Sequence, residues 1–346
     1  MKKELKEKWI KLYKIANEFK KLEPWKYFSE FDILTLKVPD KKEPYFCNIE
    51  KNVFSYYAIS IYDGYRAIDA QYEASTSPFP TELLSNYHMC TTCVFGKEED
   101  YFGLNDSLIE ELDLEDDYKW IYFLNFQLGF EACRLTPKKV DMMILCMTQF
   151  LDMMRRIITN KIDIDFEDDM TFERCFNKKI NSWVDVIKRI DEYTFQIDFL
   201  ELDEENLKRF SRVRRINKEY ELEIANFIPI RFKGPNSRAC FPLVYALADK
   251  KTGEVFNIDL KQANTKKIYQ DALNHSLNLF LDFMFKNGLP KAVYVRDTHT
   301  LSLVEELFDQ LDIDIIRSPQ LKVLDKLITD TVKDMSDFGK GDLKWE

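Results

Sequence analysis

The chain has 346 residues, 45% of them hydrophobic and 14% aromatic, with a formal net charge of −10. Such a length implies two domains with cores that need no disulfide staples, and such an apolar content excludes a disordered chain. The acidic balance argues against nucleic-acid binding over the whole surface and leaves only a local basic patch for that purpose.

In chain order, residues 3–22 are predicted to form a helix, with Leu5, Trp9, Leu12, Ala16 and Phe19 at helical spacing, lysines opposite and Pro24 ending it. This stretch has no apolar h-region, which predicts no secretory signal peptide. Strands are expected at 31–38, 45–50 and 56–62, then a turn at Asp63-Gly64 and a helix at 65–74. A Ser/Thr/Pro-rich loop follows at 75–80 and a strand at 87–95. Next come an acidic stretch, 97–117, with a short helix at 108–112, and a strand at 120–126. Residues 137–158 form a methionine-rich helix, apolar on several sides and therefore buried. Residues 162–166 and 195–199 alternate with period two, the pattern of strands with one wet face.

The C-terminal part has the clearest pattern. Tyr220, Leu222, Ile224, Asn226 and Ile228 alternate with Glu221 and Glu223 in a strand read as 220–231. Strands 241–248 and 254–260 flank a hairpin turn from Asp249 to Gly253. A helix at 265–286 ends at Gly288 with Pro290 beyond, followed by strand 292–296, helix 300–311, strand 313–316 and helix 318–335. Ser318 is read as the last helix's N-cap and Pro319 as its first residue. The continuous apolar run 292–295 predicts a central strand, parallel to the one beginning at Tyr220. These elements imply an α+β chain: a mixed α/β domain at 1–159, a strand-rich connector at 160–218, a second α/β domain at 219–335 and a flexible polar tail at 336–346.

Seven scattered cysteines, 47, 90, 93, 133, 146, 175 and 240, in apolar or aromatic settings match a reducing cytoplasm rather than a disulfide framework. No apolar run is long enough to span a membrane. Only nine glycines occur. There is no G-x-G-x-x-G, Walker A, H-E-x-x-H or G-x-S-x-G motif, so nucleotide binding and hydrolysis through those devices are not expected. His88, Cys90 and Cys93 suggest zinc, but residues three apart on a strand point to opposite sides, and ordinary buried thiols are the better reading. Cys47, Cys240, His275 and His299 form no triad.

One constellation points to chemistry. Asp325 falls on the apolar stripe of the last helix, between Leu321 and Ile328, and Asp297 lies just past the end of strand 292–296. The pair reads either as a ligand or metal site at a strand's carboxyl end, or as a helix-start aspartate plus a buried aspartate paired to Arg296 or Arg317. Asp249, in its turn, is a weaker third candidate. The basic run Lys208, Arg209, Arg212, Arg214 and Arg215, with Phe210 interleaved, could track a phosphate backbone. Acidic blocks on both sides favour an internal charge network instead.

The element order resembles that of ribonuclease H-like proteins. The phrase Gly288-Leu289-Pro290 leading to Asp297, with Asp325 on a later helix, resembles the core of retroviral-type integrases and transposases. Such a resemblance implies carboxylates that hold two Mg or Mn ions, including one in the middle of the first strand. Here Asn226 stands on what is read as that strand's inward face, with Glu221 and Glu223 opposite, so the set is incomplete and a degenerate scaffold is implied. The whole chain also resembles two-domain bacterial proteins of Firmicutes type whose halves are of unknown function. The carriers are Trp9-x-x-x-Tyr13 running into Pro24-Trp25, Cys240-Phe-Pro-Leu, and Val295-Arg296-Asp297. The combined expectation is a cytoplasmic interaction or regulatory module without a cofactor, its partner a protein rather than nucleic acid or membrane. Arg296, Asn226 and Arg317 would line its binding site. The alternative is a Mg- or Mn-dependent nuclease or nucleic-acid-handling protein using Asp297 and Asp325. Enzymatic activity is left open.

Overall fold

The computed structural model describes residues 1–51, 56–96, 106–193, 204–233 and 238–338. The first half contains α1 (Lys3–Leu22), β1 (Leu34–Lys37), β2 (Tyr45–Lys51), β3 (Tyr57–Asp63), α2 (Tyr65–Thr76), β4 (Cys90–Phe95), α3 (Asp106–Leu112), β5 (Ile121–Gln127), β6 (Phe130–Cys133), α4 (Pro137–Asn160), β7 (Met170–Asn177) and β8 (Ser182–Arg189). The second contains α5 (Glu204–Phe210), β9 (Glu219–Asn226), β10 (Phe232–Lys233), β11 (Ala239–Cys240), β12 (Leu243–Asp249), β13 (Val255–Lys261), α6 (Lys266–Asn287), β14 (Ala292–Val295), α7 (Thr298–Leu311), β15 (Asp314–Arg317) and α8 (Lys322–Phe338). The class is α+β with two sheets. Two compact units form. One comprises Met1–Asp69, Met89–Gln127 and Ala132–Tyr193; the other comprises Ala70–His88, Leu128–Glu131 and Thr194–Glu346.

In the first unit the strands run β8-β7-β1-β2-β3-β4-β5, antiparallel except for the parallel β1–β7 pair. One face carries the apolar stripes of α1 and α4, with Trp9, Tyr13, Phe19, Met143, Met147 and Phe150 packed against Leu34, Leu36 and Ile59. The strand expected at 162–166 does not form. Ile162, Ile164 and Phe166 pack on the core as irregular chain. Period-two alternation reports which side chains are buried, and here no neighbouring strand accompanies the burial. The hairpin lies instead at β7–β8. Its sequence hides it, because β7 buries charged residues in ion pairs: Glu173 with Lys37 (3.0 Å) and Arg174 with Asp185 (2.6 Å). The expected strand 195–199, the acidic residues 97–105 and the tail residues 339–346 lie outside the described residues.

The second unit holds the five-stranded sheet β13-β12-β9-β14-β15. Its first three strands form an antiparallel meander; β14 runs parallel to β9 and β15 parallel to β14. The apolar run of β14 therefore sits inside the sheet, with Val293 and Val295 fully buried. Helices α6 and α7 cover one face over Leu222, Ile224, Tyr245 and Leu247. Helix α8 covers the other, setting Leu321 and Leu324 against Ala246 and Ala248. At the end of α6, Gly288 has φ +113°, and a Cβ there would lie 2.8 Å from the Ile216 side chain and 2.9 Å from the Arg214 carbonyl. Only glycine fits that passage.

Helix α8 starts at Lys322, three residues later than a Ser318 N-cap and a Pro319 first residue suggest. The reason is non-local. Glu221 on β9 accepts hydrogen bonds through Oε2 from the amides of Val323 (2.9 Å) and Leu324 (3.1 Å). That carboxylate satisfies the free N–H groups of the first turn. Ser318 instead donates its hydroxyl to the Gln320 carbonyl (2.7 Å).

Residues 70–88 pack with the C-terminal sheet. The side chain of Asn86 accepts from the Asn226 amide (2.7 Å) and donates to the Asn226 carbonyl (2.9 Å), as an added strand would. The Ile228 amide donates to the Glu82 carbonyl (2.9 Å). Leu83 and Tyr87 join Ala225, Phe227 and Ile328 in a small apolar cluster.

Candidate functional site

The carboxyl ends of β9 and β14 are where the second unit concentrates buried charge. Strand β9 is covered on both faces, so its alternation does not separate a wet side from a dry one. Leu222 and Ile224 point toward α6 and α7, and Glu221 and Glu223 lie under α8, both less than 4% exposed. Arg296 follows β14 and is buried beside Glu223. Its guanidinium donates through Nε to Glu223 Oε2 (2.6 Å), through Nη2 to Asp325 Oδ1 (2.6 Å) and through Nη1 to the Pro319 carbonyl (2.7 Å). One arginine thus ties the middle of β9, the entry to α8 and α8 itself.

Asp297 is the N-cap of α7. Its Oδ1 accepts from the Thr300 amide (2.6 Å) and its Oδ2 from the Tyr87 hydroxyl (3.1 Å). Next to it, Glu73 is buried and Oε1 accepts from the Thr298 amide (2.9 Å), the Thr298 hydroxyl and Arg317 Nη2 (2.5 Å). A small cleft lies between, lined by Glu73, Phe79, Tyr87, Arg296, Asp297 and Arg317.

Burial decides the electrostatics. It pushes the Glu223 carboxyl up; Arg296 pulls it back and Asp297 pushes it up again, leaving it at about 7. Burial likewise raises the Glu73 and Glu221 carboxyls, against the hydrogen bonds each accepts. Burial alone would lower Arg296, but Glu223 and Asp325 outweigh it, and the guanidinium stays charged. Burial and the neighbouring Asp297 keep the Tyr87 hydroxyl protonated.

Of the residues singled out in the sequence, Arg296 and Asp325 meet directly, Asp297 neighbours them through the chain, and Arg317 belongs to the Glu73 pair. Asp325 keeps about 30% of its side chain exposed, more than its position on the apolar stripe suggests. Asn226 turns its amide to the Phe241 and Pro242 carbonyls (3.2 and 3.4 Å), a structural role. Asp249 lies at the other end of β9, opposite Tyr220. It closes its turn onto the Lys251 and Thr252 amides (2.9 and 2.8 Å) and pairs with Lys218 (2.7 Å).

The basic run does not form one patch. Lys208 faces Glu204 (3.7 Å), Arg209 lies over the Phe285 ring, and Arg215 holds the Leu311 and Asp312 carbonyls at the end of α7. Arg212 and Arg214 are exposed. Phe210, the candidate base-stacking residue, is buried in the core. Cys90 and Cys93 point to opposite faces of β4, Cys90 beside Phe46 and Tyr62, Cys93 in the main core.

Sequence reasoning missed Glu223, Glu221, Glu73 and Tyr87. Taking the Asn226 side as the inward face of β9 placed the mid-strand carboxylate on the wrong side; α8 makes the Glu223 side a buried face too. The available signal was two glutamates alternating inside a strand that otherwise reads as fully buried. Glu73 and Tyr87 gave no local signal, because they arrive from a segment more than 200 residues away along the chain.

No curated protein matches the chain. Residues 9–174 match the family model of one domain of unknown function, DUF7309, and residues 206–331 match that of a second, DUF6930.

Proposed function

We propose that the chain is a non-enzymatic interaction or regulatory module, working in the cytoplasm on a degenerate ribonuclease H-like scaffold, with a protein as its partner. The strand order of the C-terminal sheet, a meander followed by two parallel strands, supports the scaffold. Among the described residues no disulfide joins the cysteines, which agrees with a reducing compartment. Among the described residues no helix is long and apolar enough to cross a membrane.

The observation that carries the reading is the Glu223–Arg296–Asp325 bridge. A two-metal site needs carboxylates whose oxygens converge on the ions. Here a guanidinium is the counter-charge of two of the carboxylates, and the third, Asp297, spends its oxygens on the α7 amide and on Tyr87. The donor set therefore does not fit a Mg or Mn pair. On this reading the carboxylates at this end of the sheet serve structure, and the surface they hold together serves binding.

The test is a thermal-shift titration of the full chain with Mn²⁺ and Mg²⁺, paired with affinity capture before and after nuclease digestion. No saturable stabilisation is expected, and bound protein should survive the digestion. A saturable Mn²⁺ shift that disappears in Asp297→Asn would overturn this function in favour of the metal-dependent nuclease. Captured material lost on nuclease treatment would point to nucleic-acid handling.

A further inference from the structure

Glu223 is enclosed, yet it bonds through one oxygen only. Oε2 takes Arg296, while Oε1 is buried with no hydrogen-bond partner among the described residues. The charges around it do not balance. Arg296 brings one positive charge, against Glu223 itself, Asp297 from the β14–α7 turn and Asp325 from α8. Tyr87 of the 70–88 segment adds a hydroxyl that donates to Asp297. Strand β12 presents only Ala246 opposite Glu223. Glu221, two residues back on the same face of β9, adds another carboxylate, with Lys250 as the nearby cation on that side. Helix α8 closes this arrangement, with Leu324 and the preceding Leu321 on Ala246 and Ala248 and with Ile328 beside Ala225 and Phe227. Beside that apolar contact, α8 is tied to the sheet by Glu221, which accepts from its first amides, and by Arg296, which donates to Asp325.

We propose that the Glu223 carboxyl is a proton-operated latch that couples the docking of α8 to pH. With α8 in place, Glu223 is out of water beside two other carboxylates, and the protonated form is favoured. With α8 lifted, water reaches the carboxyl and it behaves as an ordinary one, held in the usual range near 4.5. A group whose affinity for the proton is raised in the docked state binds docking and proton together. Docking is tightest below the ordinary carboxylate range, weakens as pH rises through the acid range to about 7, where the docked group titrates, and is flat above that. Over that interval the opening constant rises about tenfold per pH unit. Glu221, also raised by burial, acts in the same direction.

The experiment is amide hydrogen exchange of the full chain from about pH 5.5 to about pH 8.5, corrected for intrinsic exchange and resolved over α7 and α8. The α8 amides are expected to exchange faster than those of α7 at every pH, which marks a local opening. Their opening constant should rise about tenfold per unit up to neutrality and then level. Glu223→Gln, permanently neutral, should keep α8 docked and remove most of the slope. Exchange of α8 no faster than α7, or an unchanged slope in Glu223→Gln, overturns the latch. If that variant does not fold, carboxyl ¹³C NMR of the wild-type chain decides. A Glu223 titration near neutrality supports the latch, and one in the ordinary carboxylate range sinks it.

Discussion

Arg296 shows how burial and pairing set the worth of a single side chain. Above about pH 7, where Glu223 carries its charge, removing it leaves that charge buried and uncompensated, so Arg296→Ala should cost about 3–5 kcal/mol in denaturant unfolding there. Asp325 is paired to the same guanidinium but is partly in water, and Asp325→Asn should cost only about 1–2 kcal/mol. Equal losses in the two variants would mean that exposure does not control this bridge. The pH dependence has a definite sign. The folded-state value of Glu223 is raised above its unfolded one, so its contribution is full below about 4.5 and is lost as pH rises to about 7. Wild-type stability should therefore fall across that window relative to Glu223→Gln, by about 3 kcal/mol at most. Parallel curves for the two proteins would contradict the burial effect.

Among the elements, α8 is the one whose limits come from another part of the chain. Its first turn is capped by Glu221 rather than by Ser318. Glu221→Ala should cost about 1–2 kcal/mol and raise exchange at Val323 and Leu324. Ser318→Ala should leave both unchanged within about 0.5 kcal/mol. If the serine change frayed the helix and the glutamate change did not, the local sequence signal would be the true cap. At the opposite end of the same unit, Gly288→Ala should destabilise, because the added Cβ meets the Arg214 backbone and Ile216 at a positive φ.

At the scale of the molecule, the C-terminal sheet is completed by residues 70–88, which arrive from the first half of the chain. They supply Asn86 to the backbone of β9, Tyr87 to Asp297, Glu73 to the start of α7, and apolar cover to Ala225, Phe227 and Ile328. A fragment covering 204–338 alone should therefore melt below the full chain, bind a hydrophobic dye and regain stability when a 70–88 peptide is added. A fragment as stable as the second unit within the full chain, unaffected by the peptide, would show the segment to be dispensable. In the full chain, Asn86→Ala should cost about 2–3 kcal/mol, since it strands a buried amide and carbonyl together.

Short-range physics decides a good part of this protein, and that part is legible in the order of its residues. Helical periodicity placed α1, α4, α6 and α7, and a hairpin turn placed β12 and β13. The unbroken apolar run of β14 put that strand between two others. The sequence also marked Asp325 as an acid on an apolar stripe and named Arg296 among its possible partners. What it did not carry was anything that depends on which faces meet. Whether β9 is covered on one side or two is settled by α8, a hundred residues later, and only that covering turns Glu221 into a helix cap and Glu223 into a buried acid. The alternation at 162–166 looked like a strand because burial on a core and pairing in a sheet impose the same period of two, and only pairing needs a neighbour. Glu73 and Tyr87 joined the site solely because the chain folds 70–88 onto the C-terminal sheet. A long-range contact of that kind leaves no mark on local composition or spacing, and it exists only once the chain has folded.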